Sequence, residues 1–124
     1  MEVFGYMKLI AYQKAKEVVK RTYKLLKKFP AEERYAMSDQ LRRASVSITS
    51  NIAEGINRYS IKEKSHFIEM AYGSLMEVSS QIEIAEDIGY ITTEDRINMD
   101  ELIREEARLL SGLLPINFQL IKQL

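Results

Sequence analysis

Glu63 and His66 have the spacing of a metal-binding pair, because they form a Glu-x-x-His sequence at the start of a predicted helix. Di-iron sites in four-helix bundles need two such pairs and two further glutamates. His66 is the only histidine of the sequence, so a second pair cannot come from the same chain. A serine–histidine–aspartate triad would need the same His66, and no supporting motif surrounds it. We therefore predict that both residues lie on the surface and bind no metal.

The rest of the sequence shows no arrangement typical of catalysis. It lacks both glycine-rich phosphate-binding motifs, G-x-x-x-x-G-K-S/T and G-x-G-x-x-G. It has no cysteine, which excludes a disulfide framework, a thiolate zinc site and a cysteine nucleophile. Glu105 and Glu106 are adjacent on a predicted helix and point in different directions, so they do not form an acid–base couple. We predict that both lie on a solvated face, that the chain needs no cofactor and that it is not an enzyme.

Charge is distributed unevenly along the chain, although 18 basic and 18 acidic residues give a net charge of zero. Residues 8–29 include eight basic residues and one acid, whereas residues 61–88 include two lysines and six acids. Lysine and arginine supply phosphate contacts to nucleic acids, and flanking tyrosines such as Tyr12 and Tyr23 can stack on bases. The first helix is therefore a candidate nucleic-acid interface, formed by Lys16, Lys20, Arg21, Lys24, Lys27 and Lys28.

Two other interpretations of this basic face stay open. In the first, it is an ordinary lysine-rich face in contact with solvent. In the second, it meets the acidic third helix of a neighbouring copy, and head-to-tail contacts of that kind close into rings.

The second predicted helix is crowded with small polar residues that form helices poorly. One interpretation is structural: small hydroxyl-bearing residues let a neighbouring helix approach closely, and Gly73 and Ser74 on the third helix suggest the same. The other interpretation is a polar surface for a partner. The residues that would form this surface are Arg43, Ser47, Ser50, Asn51 and Glu54.

Apolar residues recur at steps of three and four along four segments, which predicts four helices. The first helix ends before Pro30, because proline disfavours helical geometry in the preceding residue. The second covers about residues 32–56, with Ser38 as a candidate N-cap and Gly55 as the glycine just past its end.

Ser60 and Glu63 form a capping box at the start of the third helix, which Gly89 ends. Four helices with short connections have antiparallel neighbours. We therefore predict an all-α fold, an antiparallel up-and-down four-helix bundle that forms a single domain over residues 1–124. No apolar run approaches 18 residues and no signal peptide is evident, which predicts a cytoplasmic protein that does not enter a membrane.

Thr92 or Thr93 caps the fourth helix, and Pro115 should kink it or end it near Leu114. Residues 116–124 form an apolar tail. Such a tail favours burial against another subunit, and its alternative is to fold back on its own bundle.

One region resembles the signature of a known family. The stretch QLRRASVSI at residues 40–48, followed by SNIAEG at residues 50–55, looks like that of the four-helix-bundle proteins encoded in 23S rRNA intervening sequences. The resemblance spans about residues 8–91. Further similar segments are residues 12–15, 29–30, 73–75 and 89–90.

The resemblance implies a bacterial protein whose antiparallel bundle assembles into a homopentameric ring. It also implies a similarity to the accessory proteins of diversity-generating retroelements, which bind nucleic acid through basic surfaces and partner a reverse transcriptase. Two features depart from this pattern. Thr49 stands where the family often has proline, so a milder bend of the second helix is expected. The chain is neutral, whereas the accessory proteins are strongly basic.

Residues and resemblance together favour a non-enzymatic, oligomeric accessory protein that binds RNA or DNA through its basic first helix. The alternative is a homo-oligomeric scaffold or protein-partner adaptor that binds no nucleic acid.

Overall fold

Four α-helices form most of residues 4–115, the part of the chain that the computed structural model describes. They are α1 (Ile10–Leu26), α2 (Met37–Ile56), α3 (Ile61–Asp87) and α4 (Thr93–Gly112). Short 3-10 helices lie before α1 at Gly5–Lys8 and before α2 at Ala31–Glu33. The described residues contain no β-strand, which confirms the predicted all-α class.

Each helix packs against two neighbours. α1 contacts α2 and α4, and α3 contacts the same two helices, so α1 and α3 lie at opposite corners of the bundle. Ion pairs show the direction of α1 relative to α4. Lys14 contacts Glu105, whereas Lys28, two residues after the end of α1, contacts Asp95, earlier in α4. These two helices run antiparallel, as expected for a bundle with short connections, and the predicted four-helix bundle is confirmed.

One apolar stripe on each helix forms the core, as the three- and four-residue spacing predicted. Full burial of a leucine or isoleucine side chain stabilises a fold by roughly 1.5 to 3 kcal/mol relative to exposure. The largest fully buried apolar side chains are Leu41, Ile48, Ile52, Ile68, Leu75, Ile82, Met99 and Leu110.

The apolar spacing of the sequence predicts Phe67 and Ile97 as core residues, and both of these predictions are wrong. Phe67 is only half-buried, and the adjacent Ile68 occupies the core position. The Phe67 ring lies instead at the edge of the α2–α3 contact, with the Arg58 guanidinium 4.6 Å from its centroid. In α4, Ile97 is exposed and Met99 is buried in its place.

The predicted start of α2 near residue 32 is wrong. Glu33 belongs to a separate 3-10 turn, and Ala36, with φ −118° and ψ −107°, interrupts the helical geometry before α2 begins at Met37. A Glu33 carboxylate oxygen accepts a hydrogen bond of 3.2 Å from the Met37 N–H and so satisfies a free donor of the first turn. Ser38 is therefore inside the helix and largely buried, not at its N-cap.

Gly55 does not end α2 with a left-handed conformation, so that prediction is also wrong. It lies within the helix, is buried, and has no positive φ. A Cβ at this position would lie 2.7 Å from the Phe67 Cβ, which is closer than two carbon atoms can pack. The glycine is required because α2 and α3 approach closely there.

The predicted N-caps and the predicted end of α3 are confirmed. Ser60 Oγ accepts from the Glu63 N–H at 3.1 Å, but the described residues show no return bond from the Glu63 side chain, so the predicted capping box is only half formed. Thr92 forms a reciprocal capping box with Asp95, both bonds being 3.0 Å. Gly89 has φ +86° and follows the end of α3. The Tyr90 N–H reaches back to the Ala85 carbonyl at 2.9 Å, as in a Schellman motif.

α4 ends at Gly112, two residues before the predicted end near Leu114. The apolar tail at residues 116–124 lies outside the described residues. None of the helices between residues 4 and 115 combines the length and hydropathy that crossing a bilayer requires.

Candidate nucleic-acid interface

Four of the six predicted phosphate-binding residues share one exposed surface of α1. The apolar stripe of this helix faces the core, which directs Lys20, Arg21, Lys24 and Lys27 to the outside. We call these four residues the basic patch. Together with Glu17 and Tyr23 they line a shallow depression of about 320 Å³. The Tyr23 ring is 44% exposed, so an apolar surface lies beside the charges.

The charges of the basic patch have no partner of opposite charge. None of the four residues forms an ion pair or a side-chain hydrogen bond within the described residues. Free lysine and arginine groups on one exposed helix face are available to an anionic ligand, and phosphate is the anion that such groups bind in nucleic acids.

Lys28 and Lys14, by contrast, form ion pairs with acids of α4. Lys28 Nζ lies 2.7 Å from an Asp95 carboxylate oxygen, and the hydrogen bond from Lys28 is the main cause of the lowered pKa of Asp95. Lys14 Nζ lies 3.3 Å from Glu105, and that hydrogen bond is the main cause of the raised pKa of Lys14. The Lys14 pair joins α1 to α4, and the Lys28 pair joins the turn after α1 to α4, so Lys28 is engaged structurally in a way that its sequence position did not reveal.

Lys16 is the remaining predicted residue and also lies apart from the basic patch. Its ammonium group is 5.6 Å from the centroid of the Tyr12 ring, a cation–π arrangement. It is exposed. The nucleic-acid-binding role of all six residues stays a prediction.

A structural reason also exists for the basic end of α1. Positive side chains near a helix C-terminus interact favourably with the helix dipole, and Lys24 is in the last turn while Lys27 caps it. The dipole effect falls off within one turn, so it does not account for Lys20 and Arg21.

The polar stripe of α2 divides into two sets. Ser47 and Asn51 lie at the α2–α3 contact, where the Ser74 hydroxyl donates to Ser47 Oγ at 2.9 Å. The Asn51 amide donates to the Ser47 carbonyl at 2.9 Å and to Ser47 Oγ at 3.0 Å. This hydrogen-bonded cluster agrees with the structural interpretation. Gly73 does not support that interpretation, because it is exposed and an added Cβ would meet nothing within 4 Å.

The second set of α2 residues faces outward. The Arg43 side chain is 79% exposed and pairs with Asp39 at 3.0 Å. Glu54 pairs with Arg58 at 3.6 Å, and Ser50 is exposed. A role of these residues in partner binding stays a prediction.

Glu63 and His66 are both on the surface, as predicted. The His66 ring packs edge-on against the Phe67 ring, with 5.7 Å between centroids. Across residues 4–115, no three acidic, histidine or cysteine side chains are grouped as metal ligands.

Glu106 was predicted on a solvated face, and that prediction is wrong. Its side chain is fully buried in α4, and neither carboxylate oxygen has a hydrogen-bond partner within the described residues. The pKa of Glu106 is raised to about 8, mainly by burial and also by the negative charge of Glu105, while the positive charge of Lys14 acts in the opposite direction. Leu102 and Leu110 lie one turn before and after Glu106, so strict helical spacing could have placed it in the core.

The fold and its surface define a small helical-bundle protein with an exposed basic helix. The family model of the 23S rRNA-intervening sequence protein matches residues 7–112, so the chain belongs to that family. The family resemblance is thereby confirmed. The family description names no catalytic activity.

The fold is similar to a crystal structure from Bacteroides thetaiotaomicron VPI-5482, a protein with unknown function from the S23 ribosomal protein family. The TM-score is 0.77 and the sequence identity is 24%, over 85% of this chain and 98% of the other. At this identity the likeness shows the fold alone. No curated protein matches the chain. The homopentamer, the nucleic acid, the reverse transcriptase and the relation to retroelement accessory proteins stay predictions.

Proposed function

We propose that the chain is a non-enzymatic, self-assembling helical-bundle protein that binds RNA or DNA through phosphate contacts from the basic patch. The observation that carries the proposal is the set of four exposed positive groups on one helix, none of them paired within residues 4–115. Binding of this kind depends on charge and on counterion release, so it needs neither a deep pocket nor base-specific contacts.

The neutral total charge is compatible with this function because the charges are segregated. The four basic residues concentrate positive potential on α1, whereas most of the acids are on α3 and α4, six on each helix. A strand of nucleic acid that contacts α1 experiences the local field, since exposed charges farther away than about 8 Å are largely screened at physiological salt. Tyr23 adds an exposed ring on which a base can stack.

The experiment that tests the proposal is a titration of the purified protein against structured RNA and duplex DNA at several salt concentrations. If four phosphates are neutralised, the logarithm of the affinity for duplex DNA should fall with the logarithm of salt with a slope of about −3.6. Between about 50 mM and 200 mM salt the affinity should then fall by about 100-fold.

A charge-reversal variant assigns the binding to the basic patch. Lys20→Glu, Lys24→Glu and Lys27→Glu together should abolish it. The matched control is Lys8→Glu, Lys62→Glu and Lys64→Glu, which changes the net charge equally at exposed positions outside the basic patch. Equal loss of binding in both variants, or unchanged binding in the first, would contradict the assignment to α1.

Self-assembly is tested separately by light scattering. A homopentamer should have five times the 14.4 kDa mass of one chain. If the protein assembles but binds neither RNA nor DNA at low salt, the alternative function of a scaffold or protein-partner adaptor is the correct one. In that case the exposed residues Arg43, Ser50 and Glu54 are the first to test for contact with a protein such as a reverse transcriptase.

A further inference from the structure

A small pocket lies where the turn between α1 and α2 meets the first turn of α2. It has a volume of about 320 Å³, and apolar surface from Leu26, Phe29 and Pro30 lines it. Its polar lining residues are Arg34, Ser38 and Arg42. No acid is among the described residues that line it, so the charge of its walls is positive. We call it the turn pocket.

Ser38 is a buried polar residue of the turn pocket that lacks a hydrogen-bond partner. It is only 8% exposed, and its hydroxyl bonds to no residue that the structure describes. Ser45 and Thr49 of the same helix differ, because their hydroxyls donate to carbonyls one turn earlier, at 2.9 Å and 2.7 Å. A buried hydroxyl without a partner is costly. Oxygen atoms of a ligand in the turn pocket would satisfy it.

The N-terminus of α2 offers two further free donors beside Ser38. The first N–H groups of an α-helix have no partner within the helix. The Met37 N–H is satisfied by Glu33 at 3.2 Å, whereas the N–H groups of Ser38 and Asp39 meet no acceptor within residues 4–115. Free N–H groups and the helix dipole together favour an anion at such a position.

Two arginines supply the positive charge of the turn pocket. Arg42 is four residues after Ser38, so both side chains lie on one face of α2. Arg42 donates to Asp39 at 2.8 Å, which fixes the guanidinium and leaves most of its five N–H donors free. Asp39 also pairs with Arg43 at 3.0 Å, so this group of three charges stays positive. Arg34 is exposed and forms no ion pair with any described residue.

The turn that forms one wall of the pocket is held in place by contacts with Tyr90. The Tyr90 hydroxyl donates to Glu33 at 2.9 Å, and the Tyr90 ring packs against Phe29 with 5.2 Å between centroids. Glu33 also accepts from the first turn of α2, so the turn and the helix are joined. A pocket whose walls are already ordered loses little entropy when it binds a ligand.

We propose that the turn pocket binds a phosphate monoester, supplied either by a nucleoside 5′-monophosphate or by the 5′-terminal phosphate of a nucleic-acid strand. The phosphate oxygens accept from Ser38 and from the two arginines, since arginine matches the geometry of a phosphate group. The organic group packs on the apolar surface of Phe29 and Pro30. The size of the pocket is at the lower end of the range for small-molecule sites. The basic patch has no part in this site, so the inference does not rest on the proposed function.

The first test is isothermal titration calorimetry of the full chain with adenosine 5′-monophosphate at low salt. The nucleotide should bind in a saturable manner, with one molecule for each chain. Adenosine should not bind, because it lacks the phosphate. Inorganic phosphate should bind more weakly than the nucleotide, because it makes no contact with the apolar wall.

Two variants assign this binding to the turn pocket. Arg34→Glu should abolish it, because it places a negative charge beside the phosphate and breaks no ion pair within the described residues. Ser38→Ala removes one hydroxyl and should weaken binding by about 10-fold, as expected for a hydrogen bond to a charged group. The matched control is Arg108→Glu, which makes the same charge change at an exposed position of α4 and should bind with native affinity. Circular dichroism of each variant confirms that the helices are intact.

A pair of RNA strands distinguishes the two sources of the phosphate. The strands have the same sequence, and one carries a 5′-phosphate where the other has a 5′-hydroxyl. The chain used is Lys20→Glu with Lys24→Glu, so that binding along the basic patch does not mask binding of the strand end. Tighter binding of the phosphorylated strand assigns the pocket to strand ends. Equal binding of the two strands, with the nucleotide bound, assigns it to a free nucleotide.

Three results would overturn the inference. They are a native chain that binds neither the nucleotide nor the phosphorylated strand end, adenosine bound as tightly as its monophosphate, and an Arg34→Glu chain with native affinity. Failure of the proposed function is a different result: the nucleotide binds and is lost in Arg34→Glu, whereas structured RNA and duplex DNA do not bind the native chain.

Discussion

The basic patch and Glu106 place charged side chains in opposite surroundings. The four groups of the basic patch are exposed to water, where an ionised side chain is stable without a partner. Glu106 lies in the core, where neither of its oxygens has a hydrogen-bond partner within the described residues. An ionised carboxylate is strongly disfavoured there, so the residue retains its proton to a higher pH. The positive charges of the basic patch are therefore available for binding, whereas the negative charge of Glu106 is suppressed.

Replacing Glu106 by leucine should give the largest change in stability. At about pH 9 the native protein holds an ionised carboxylate in the core, and a pKa of about 8 instead of 4.5 corresponds to a cost on the order of 5 kcal/mol. Glu106→Leu removes that cost and should raise the free energy of unfolding by a similar amount. Urea unfolding followed by circular dichroism measures it.

Glu105→Leu is the matched control for this substitution. Glu105 is the adjacent residue, is only partly buried and pairs with Lys14 on the surface. Its removal should change the free energy of unfolding little, since such pairs contribute little. A destabilised Glu106→Leu protein at about pH 9 would show that the buried carboxylate has a favourable partner that the fold does not reveal, and the contrast between the two regions would fail.

The pH dependence of stability tests directly whether burial suppresses the charge of Glu106. The pKa of Glu106 is about 8 in the native state and near 4.5 in the unfolded state, so native protein binds more protons between these values. Stability should therefore be highest near pH 4.5 and decrease up to about pH 8, by at most about 1.4 kcal/mol per pH unit. Asp95 acts outside this window, because its lowered pKa affects stability only as the pH falls below about 4.

Urea midpoints from about pH 5 to about pH 9 measure this dependence. Glu106→Gln keeps the size of the side chain without the ionisation and should abolish the decrease. A native protein whose midpoint stays constant over the window would contradict the raised pKa.

Periodicity and capping chemistry predicted most of the bundle. Helices begin after Ser60 and Thr92 and one ends before Gly89, as expected, because caps depend on local hydrogen bonds and on backbone geometry. The sequence also located the basic patch, since a helix that buries one face exposes the other. The sequence could not predict which of the basic residues form ion pairs. Lys28 differs from Lys24 only in its contact with Asp95, which is distant in the sequence.

The errors share one physical cause, which is contact between segments far apart in sequence. Gly55 looked like a helix terminator, but its role is set by Phe67 on the next helix. Glu106 looked solvated because carboxylates seldom enter a core without a partner. The helical spacing from Leu102 and Leu110 already pointed inward, and the packed structure shows that the carboxylate is buried there.

Gly55 is buried and Gly73 is exposed, so alanine substitutions at the two positions compare packing inside and outside the bundle. Gly55→Ala should destabilise the protein by about 1 to 3 kcal/mol, because the new methyl group would overlap the Phe67 Cβ and force the helices apart. Gly73→Ala should stabilise it by up to about 1 kcal/mol, since alanine favours the helix and meets nothing within 4 Å. Thermal unfolding of the two variants measures both. Shifts of the same sign would show that the close approach of α2 and α3 is not maintained in solution.

The smallest effects are expected at the start of α4, where Thr92 caps the helix and Asp95 pairs with Lys28. Thr92→Ala removes the cap of α4 and should cost about 1 kcal/mol. Lys28→Ala should cost a fraction of that, because the pair with Asp95 is half-exposed and Asp95 still accepts from the Thr92 N–H. Lys24→Ala, which breaks no ion pair, is the control and should leave the unfolding midpoint unchanged.

Nucleic-acid binding should show the reverse order, weakened by Lys24→Ala more than by Lys28→Ala. If Lys28→Ala weakened binding as much, its pair with Asp95 would be open in solution and Lys28 would belong to the basic patch.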